Sequence, residues 1–388
     1  VPTIVLHFSH EATANFLVAG IPAAARAAHQ VELATREIGG VRRCLIAVPG
    51  GWLPSRWCEA ELARLAPDLE IGLADADDLD DEWDLLHLRG SRLLAAPAIV
   101  DLLRQASRLR VHTMSATPAR GALVEAELTV LKQHGAAILA ATGKAGDGIV
   151  SRTFNRPISR TISTALLQVP GVKPIHGTVA AAIVGVAMAV CLFSGEPSGL
   201  VLGALLFQLA SIIDGVDGEI ARATFRTSRS GSMLDSLTDA ATNLAFFAGV
   251  AGNLWLAGQY WPAAAGAAGL VLLFFGLLMI GAHAVASNRP FSFDAVKEHF
   301  GVRPSSLKQW LTWLTMRDFY AAAAALFVIV GLAAQMLVMF AVIAAGWLAI
   351  SLVVLSRAGA HPAYQALHSA DEPMRPIAGS LREETKLA

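Results

Sequence analysis

Short runs of alternating hydrophobic and polar residues fill roughly the first 145 positions, and long apolar stretches dominate the remainder of the chain. In the first part Cys44-Leu-Ile-Ala-Val48 reads as a strand, while 22–37 and 97–107 carry apolar residues at helical spacing. Strands alternating with amphipathic helices predict an α/β domain. After residue 175, six segments approach the roughly 20 apolar residues that cross a bilayer. They are 177–193, 199–222, 232–255, 262–287, 319–334 and 338–356, with a tight turn expected near Gln335. The predicted architecture is therefore an α/β domain over 1–145, an amphipathic juxtamembrane segment over 146–175, an all-α six-helix transmembrane bundle over 176–357 and a tail over 358–388.

Composition agrees with a membrane protein bearing a sizeable soluble part: 54% of residues are hydrophobic, only 16% are charged, and mean hydropathy is +0.52. A net charge of −1 predicts no nucleic-acid partner. Cys44, Cys58 and Cys191 lack the paired spacing of a disulfide framework or a zinc site. No secretory leader pattern is read ahead of the first strand. Basic residues mark one side of the bundle: Arg152, Arg156, Arg160 and Lys173 before the first span, Arg226 and Arg229, then Arg289, Lys297, Arg303, Lys308 and Arg317. The tail adds Arg357, Arg375, Arg382 and Lys386, whereas 194–198 and 256–261 hold no Lys or Arg. The positive-inside rule then expects a multi-pass protein of the inner (plasma) membrane, with the α/β domain and both termini cytoplasmic.

Four acids interrupt this apolar half: Asp214-Gly-Val-Asp217-Gly218-Glu-Ile-Ala221-Arg222, eight residues, then Gly231, Asp235 and Asp239 at intervals of four. On helices each acid pair projects from one face, and 214, 217, 218 and 221 form one stripe, half acid and half nearly bare backbone. Carboxylates at a membrane boundary are costly and usually functional. Two converging pairs suit one or two hard divalent cations that also hold phosphate oxygens. A solvated loop does not need Gly and Ala at helical spacing. A cation or proton pathway is disfavoured by Arg222 and by the acids lying at helix ends.

The pattern D-x2-D-G-x2-A-R-x8-G-x3-D-x3-D is complete, and over 150–357 the chain resembles the CDP-alcohol phosphotransferase family. The resemblance implies a transferase that moves a phosphoalcohol group from a CDP-linked donor, such as CDP-diacylglycerol or a CDP-polyol, to an acceptor hydroxyl, releasing CMP in phospholipid or polar-lipid synthesis. It implies that Asp214, Asp217, Asp235 and Asp239 bind Mg2+ (or Mn2+), two ions in all, and that Asp239 is the general base. Gly218, Ala221, Arg222, Ser228 and Gly231 are then nucleotide-binding positions, and a homodimer is expected. The rival reading is a non-catalytic membrane assembly protein, against which the complete motif argues.

Arg152, Arg156 and Arg160 recur every four residues beside Phe154, Ile158 and Ile162, as in an interfacial amphipathic helix with Pro157 in its first turn. A snorkelling linker and a contact to substrate phosphates remain equal readings of this stripe. It resembles the juxtamembrane helix of the family's inositol-phosphate-transferring branch. Lys173-Pro174-Ile-His176-Gly-Thr178 stands where the family has T-P-N-x-x-T, so Ile175 removes an Asn; His176 is expected as a cap or surface residue.

Val18-Ala-Gly20-Ile-Pro22 with its following Ala-rich helix, and Pro97-Ala-Ile-Val-Asp-Leu-Leu, resemble segments of sugar-nucleotide-type nucleotidyltransferases. No Gly-rich triphosphate loop precedes Gly20, and Leu88-Arg89-Gly90-Ser91 stands where a metal-binding Asp would end a strand. A catalytically degenerate relative is expected. For the acceptor, Arg226, Arg229 and Arg317 suit a polyol phosphate rather than a neutral alcohol, against the alternative that they only enforce topology. Trp310 and Trp313 suggest an interfacial helix before the fifth span, and Arg317-Asp318 a local ion pair or part of the acceptor pocket.

Overall fold

The computed structural model describes residues 3–39, 43–77, 79, 85–106, 120–144, 147–286 and 316–358. Trp310 and Trp313, the basic residues between 289 and 308, and the tail beyond 358 lie outside them.

Four parallel strands form the N-terminal sheet: β1 (Thr3–His7), β4 (Arg43–Val48), β5 (Glu70–Asp75) and β6 (Leu85–Arg89), in the order β5-β4-β1-β6. Ile4 pairs with Cys44 on one side and Leu86 on the other. Consecutive Ile4, Val5 and Leu6 are all buried, as expected of a parallel strand covered on both faces. A two-stranded ribbon, β2 (Leu17–Val18) and β3 (Ile21–Pro22), turns at Gly20 and leads into α2 (Ala23–Ile38). Ala23, Ala24, Ala25, Ala27 and Ala28 let α2 lie close in the core. Helices α1 (Glu11–Ala14), α3 (Arg56–Leu65), α4 (Ala96–Ala106) and α5 (Arg120–Ala141) complete this region. The Ser55 hydroxyl caps α3 by accepting from the Cys58 N–H at 3.2 Å. The expected strand at 44–48 and helices at 22–37 and 97–107 are present within a residue or two.

A π-turn over Ser151–Asn155 feeds α6 (Arg156–Leu166), with Pro157 in its first turn, where no N–H is required. The expected arginine stripe is split: Arg152 is exposed, and Arg156 alone of the three is buried. Phe154 and Ile158 face outward, while Arg156, Ser159 and Ser163 are buried against the protein. Asn155 is likewise held by α8, accepting from Gln208 Nε2 at 2.8 Å and donating to the Ser211 hydroxyl at 3.3 Å.

Six helices follow among the described residues: α7 (Pro174–Leu192), α8 (Pro197–Ala223), α9 (Arg229–Leu256), α10 (Tyr260–Ala286), α11 (Arg317–Ile329) and α12 (Ala333–Ala358). Four of these, α7, α8, α10 and α12, are long and apolar enough to cross a membrane. Helix α9 is long enough but carries Asp235, Asp239, Asn243 and Asn253, and α11 has 13 residues, fewer than a span needs. The α11–α12 turn falls at Gly331 rather than near Gln335, which lies inside α12. Gly331 adopts φ +79°, and the Leu332 N–H returns to the Phe327 carbonyl at 2.8 Å, closing α11 as a glycine cap does. Phe207 stacks on Phe246 at 4.0 Å, and Phe247 on Phe340 at 3.7 Å, tying α8, α9 and α12 into one apolar core.

Candidate active site

Helix α8 brings Asp214 and Asp217 to the first turns of α9, which carry Asp235 and Asp239. Carboxylate oxygens of Asp214, Asp235 and Asp239 lie within 4.8 Å of one another. Asp217, one turn from Asp214 on α8, is buried. Thr178, at the start of α7, donates its hydroxyl to Asp217 Oδ2 at 2.7 Å. Gly177 permits this approach: a Cβ there would stand 2.9 Å from the Asp217 Cβ. Gly177 and Thr178 had no role assigned from sequence. Their place in the segment compared with T-P-N-x-x-T was the available signal.

Two arginines face the acids. Arg317 Nη1 lies 3.1 Å from Asp214 Oδ1 and contacts Asp239 Oδ1 directly. The Arg317-Asp318 pair is thus not a local ion pair, since Asp318 accepts instead from the Ser151 N–H at 2.7 Å. Arg222 donates Nε to the Thr142 carbonyl at 2.7 Å and lies over Gly218, where a Cβ would come 3.0 Å from Nη1. Its Nη2 is buried without a partner among the described residues. Ala221 extends the Gly218 face by one turn. The Ser228 hydroxyl caps α9 by accepting from the Gly231 N–H at 3.0 Å.

Other expected residues lie elsewhere. Arg226 donates to Glu61 Oε1 at 2.5 Å and lies over the Trp57 ring, so its guanidinium is committed to the N-terminal region rather than to the acids. Arg229 is exposed at the start of α9. His176 caps α7, its Nδ1 accepting from the Lys173 N–H at 3.2 Å. Arg152 and Arg160 turn to the carbonyls of Asp147 and Ala140. Glu219, inside the motif but given no role by the sequence, is fully buried and takes bonds from Arg156, Ser159 and Ser163.

Every donor atom in the acid cluster is oxygen, the type that hard divalent cations select, and the acids project from two well-packed helices. Arg317 already supplies positive charge at the same point. The residues fit a divalent metal ion, held by Asp214, Asp235 and Asp239 with Asp217 adjoining.

The carboxyl end of the N-terminal sheet is closed by contrast. The chain order reverses between β1 and β6, the place where open α/β sheets take ligands. There Phe8 packs on Gly90 so closely that a Cβ at 90 would overlap its ring. His7 Nε2 and His87 Nδ1 meet at 2.7 Å, and Ser9 donates its N–H and hydroxyl to Glu127. A cavity of about 10 Å³ lined by Leu6, Leu88 and Gly90 has room for one water.

Comparison with known proteins agrees with the membrane half. A bifunctional IPC transferase and DIPP synthase of Archaeoglobus fulgidus is 38% identical over 128 residues, 33% of this chain and 25% of that protein. The protein of the same description from Thermococcus kodakarensis is 41% identical over 103 residues, 26% of this chain and 22% of its own length. That from Aquifex aeolicus is 35% identical over 117 residues, 30% and 26% respectively. The matched stretches thus span about a quarter of each relative's length. Residues 174–355, the segment holding all four acids and Arg317, match the CDP-alcohol phosphatidyltransferase family.

Proposed function

We propose that the chain is a membrane phosphotransferase that moves a phosphoalcohol group from a CDP-linked donor to an acceptor hydroxyl and releases CMP. The observation that carries this reading is the convergence of three carboxylates within 4.8 Å beside Gly218 and a buried Arg222 nitrogen without a partner. Gly218 and Ala221 leave the α8 backbone open to the cytidine and pyrophosphate. Arg222 takes a phosphate oxygen on its free Nη2, a pairing for which a guanidinium is well suited. Asp239 accepts the proton of the attacking hydroxyl as its oxygen bonds to phosphorus and the bond to CMP breaks. A divalent ion, Mg2+ by preference, would neutralise the donor's pyrophosphate and the departing CMP when bound by Asp214, Asp217, Asp235 and Asp239.

The acceptor in this reading is a polyol phosphate, and the relatives' description as DIPP synthase and IPC transferase supports that direction without naming this chain's substrates. Arg317 touches Asp239, so a phosphate held by Arg317 sets its hydroxyl beside the base. Arg226 leaves the acceptor set because Glu61 holds it, and Arg229 stays as an outer contact. Helices α7 to α12 then form one membrane bundle, in which α7, α8, α10 and α12 cross the bilayer and α9 and the short α11 pack among them. The acids and the N-terminal region are cytoplasmic, and the outward Phe154 and Ile158 rest in the interface. The N-terminal region is a nucleotidyltransferase relative without activity of its own, and the assembly is a homodimer.

Purified protein given Mg2+, CDP-diacylglycerol or a CDP-polyol, and a panel of acceptors tests the reading through CMP release. Release with a polyol phosphate supports it. No release with any donor overturns it and favours the non-catalytic alternative.

A further inference from the structure

The turn between α8 and α9, residues 224–228, joins the two halves of the acid cluster, and the N-terminal region grips it from three sides. Arg26, buried on α2, donates Nη2 to the Ala223 carbonyl at 2.7 Å while also bonding the Val18 carbonyl at 3.0 Å. Arg64 on α3 donates to the carbonyls of Thr224 at 2.9 Å and Phe225 at 3.3 Å. Glu61, buried between them, accepts from Arg64 at 2.6 Å and from Arg226 at 2.5 Å. These carbonyls end α8 and have no intrahelical partner, so the arginines act as its C-terminal cap.

The backbone at this point is unusual. Phe225 adopts φ +54°, a left-handed conformation that costs a non-glycine residue energy. It is held there by the His29 ring at 4.8 Å and the Arg26 guanidinium at 5.2 Å from its centroid. Ala19, Leu139 and Leu167 meet Val216, Ile220 and Ala223 in a shared apolar cluster beneath the same contact. Arg222 lies one residue before the gripped carbonyls, and Ser228 and Gly231 come just after.

We infer that Arg26, Glu61 and Arg64 are positioning residues, through which the N-terminal region fixes the α8–α9 turn and hence the donor-binding face of the transferase. This gives a region whose own ligand crevice is closed a task in the reaction performed next door. The inference rests on the function proposed above, because it needs a CDP-linked donor at Arg222 and Gly218. Displacing such a face by even an ångström weakens donor use without removing any group that touches substrate.

The test uses the full chain in lipid nanodiscs, with CMP plus Mg2+ as the binding probe and donor and acceptor KM measured separately. Arg64→Ala removes two carbonyl contacts at a partly exposed side chain. It should weaken CMP binding and raise the donor KM about tenfold, with acceptor KM unchanged. Arg64→Lys, which restores one donor, should recover part of the loss. Arg226→Ala breaks the same grip from the other side and should reproduce the donor-side effect, which guards against a fault peculiar to one variant. Folded variants with wild-type CMP affinity and donor KM overturn the positioning role and leave the proposed function standing. A wild-type protein that neither binds CMP nor releases it from any donor overturns both.

Discussion

Arg156 Nη1 donates to Glu219 Oε1 at 3.0 Å, and both side chains are buried where the juxtamembrane helix crosses α8. The same guanidinium forks onto Asp147, Nε to Oδ2 at 2.9 Å and Nη2 to Oδ1 at 3.1 Å. Burial alone would draw the Arg156 proton affinity down, but the two carboxylates outweigh it and hold the group above its ordinary range. Glu219 also takes the hydroxyls of Ser159 and Ser163 at 2.7 Å each.

Breaking a buried pair by removing one partner leaves an uncompensated charge, at a cost of roughly 3–5 kcal/mol. Arg156→Ala should therefore lower stability by about that amount, because hydroxyls alone remain at Glu219. Arg156→Ala combined with Glu219→Gln should recover much of the loss. Thermal unfolding in detergent reads both; an unchanged midpoint for the single variant would mean the pair is not formed.

Acid should loosen the grip on the α8–α9 turn. Burial pushes the Glu61 carboxyl up, but hydrogen bonds from Arg64 and Arg226 more than offset it, leaving Glu61 below its usual range. A depressed carboxylate contributes stability that is present above its unfolded value, about 4.3, and is lost as pH falls through the lower folded value. Asp147 behaves alike: burial raises it, and Arg156 brings it down past its ordinary value. Hydrogen exchange at residues 223–228 should quicken, relative to its intrinsic pH dependence, only below about pH 4. Glu61→Gln should remove that acid step, and a step persisting in the variant would assign it to other groups.

The N-terminal region should not make nucleotide. Phe8 closes on Gly90, and β6 ends on Arg89, a residue that cannot ligate a metal, at the sheet's switch point. The full chain given CTP, Mg2+ and a sugar or polyol phosphate should release no pyrophosphate. Steady release above background would restore an active nucleotidyltransferase.

The acceptor arginines should divide. Arg317→Ala loses a charge-assisted contact worth roughly 1.5–3 kcal/mol, so acceptor KM should rise about tenfold or more with donor KM nearly constant. Arg226→Ala should leave acceptor KM unchanged, since Glu61 engages that side chain. If unphosphorylated inositol, serine or choline proves the better acceptor, the polyol-phosphate assignment fails.

Much of this was legible from periodicity. The α/β alternation, the six helical segments and the pairing of Asp214 with Asp217 and of Asp235 with Asp239 follow from spacings within single elements. What escaped depends on which element meets which. Arg156 and Arg226 read as exposed basic residues because their partners, Glu219 and Glu61, lie 63 and 165 positions away. The juxtamembrane stripe gave its period but not the separate fate of Arg156, since an arginine faces headgroups or a buried acid with equal ease. Gly331 set the last turn through a left-handed backbone that hydropathy does not register.

The most direct test of the central claim is CMP release from a CDP-linked donor by the full chain, with and without Mg2+, in wild type, Asp214→Asn and Asp239→Asn. The acid cluster as a cation-dependent transfer site predicts turnover in wild type with Mg2+ alone, loss in chelator, and loss in both variants while they remain folded and membrane-inserted. Full turnover in excess chelator, or in either folded variant, would contradict it.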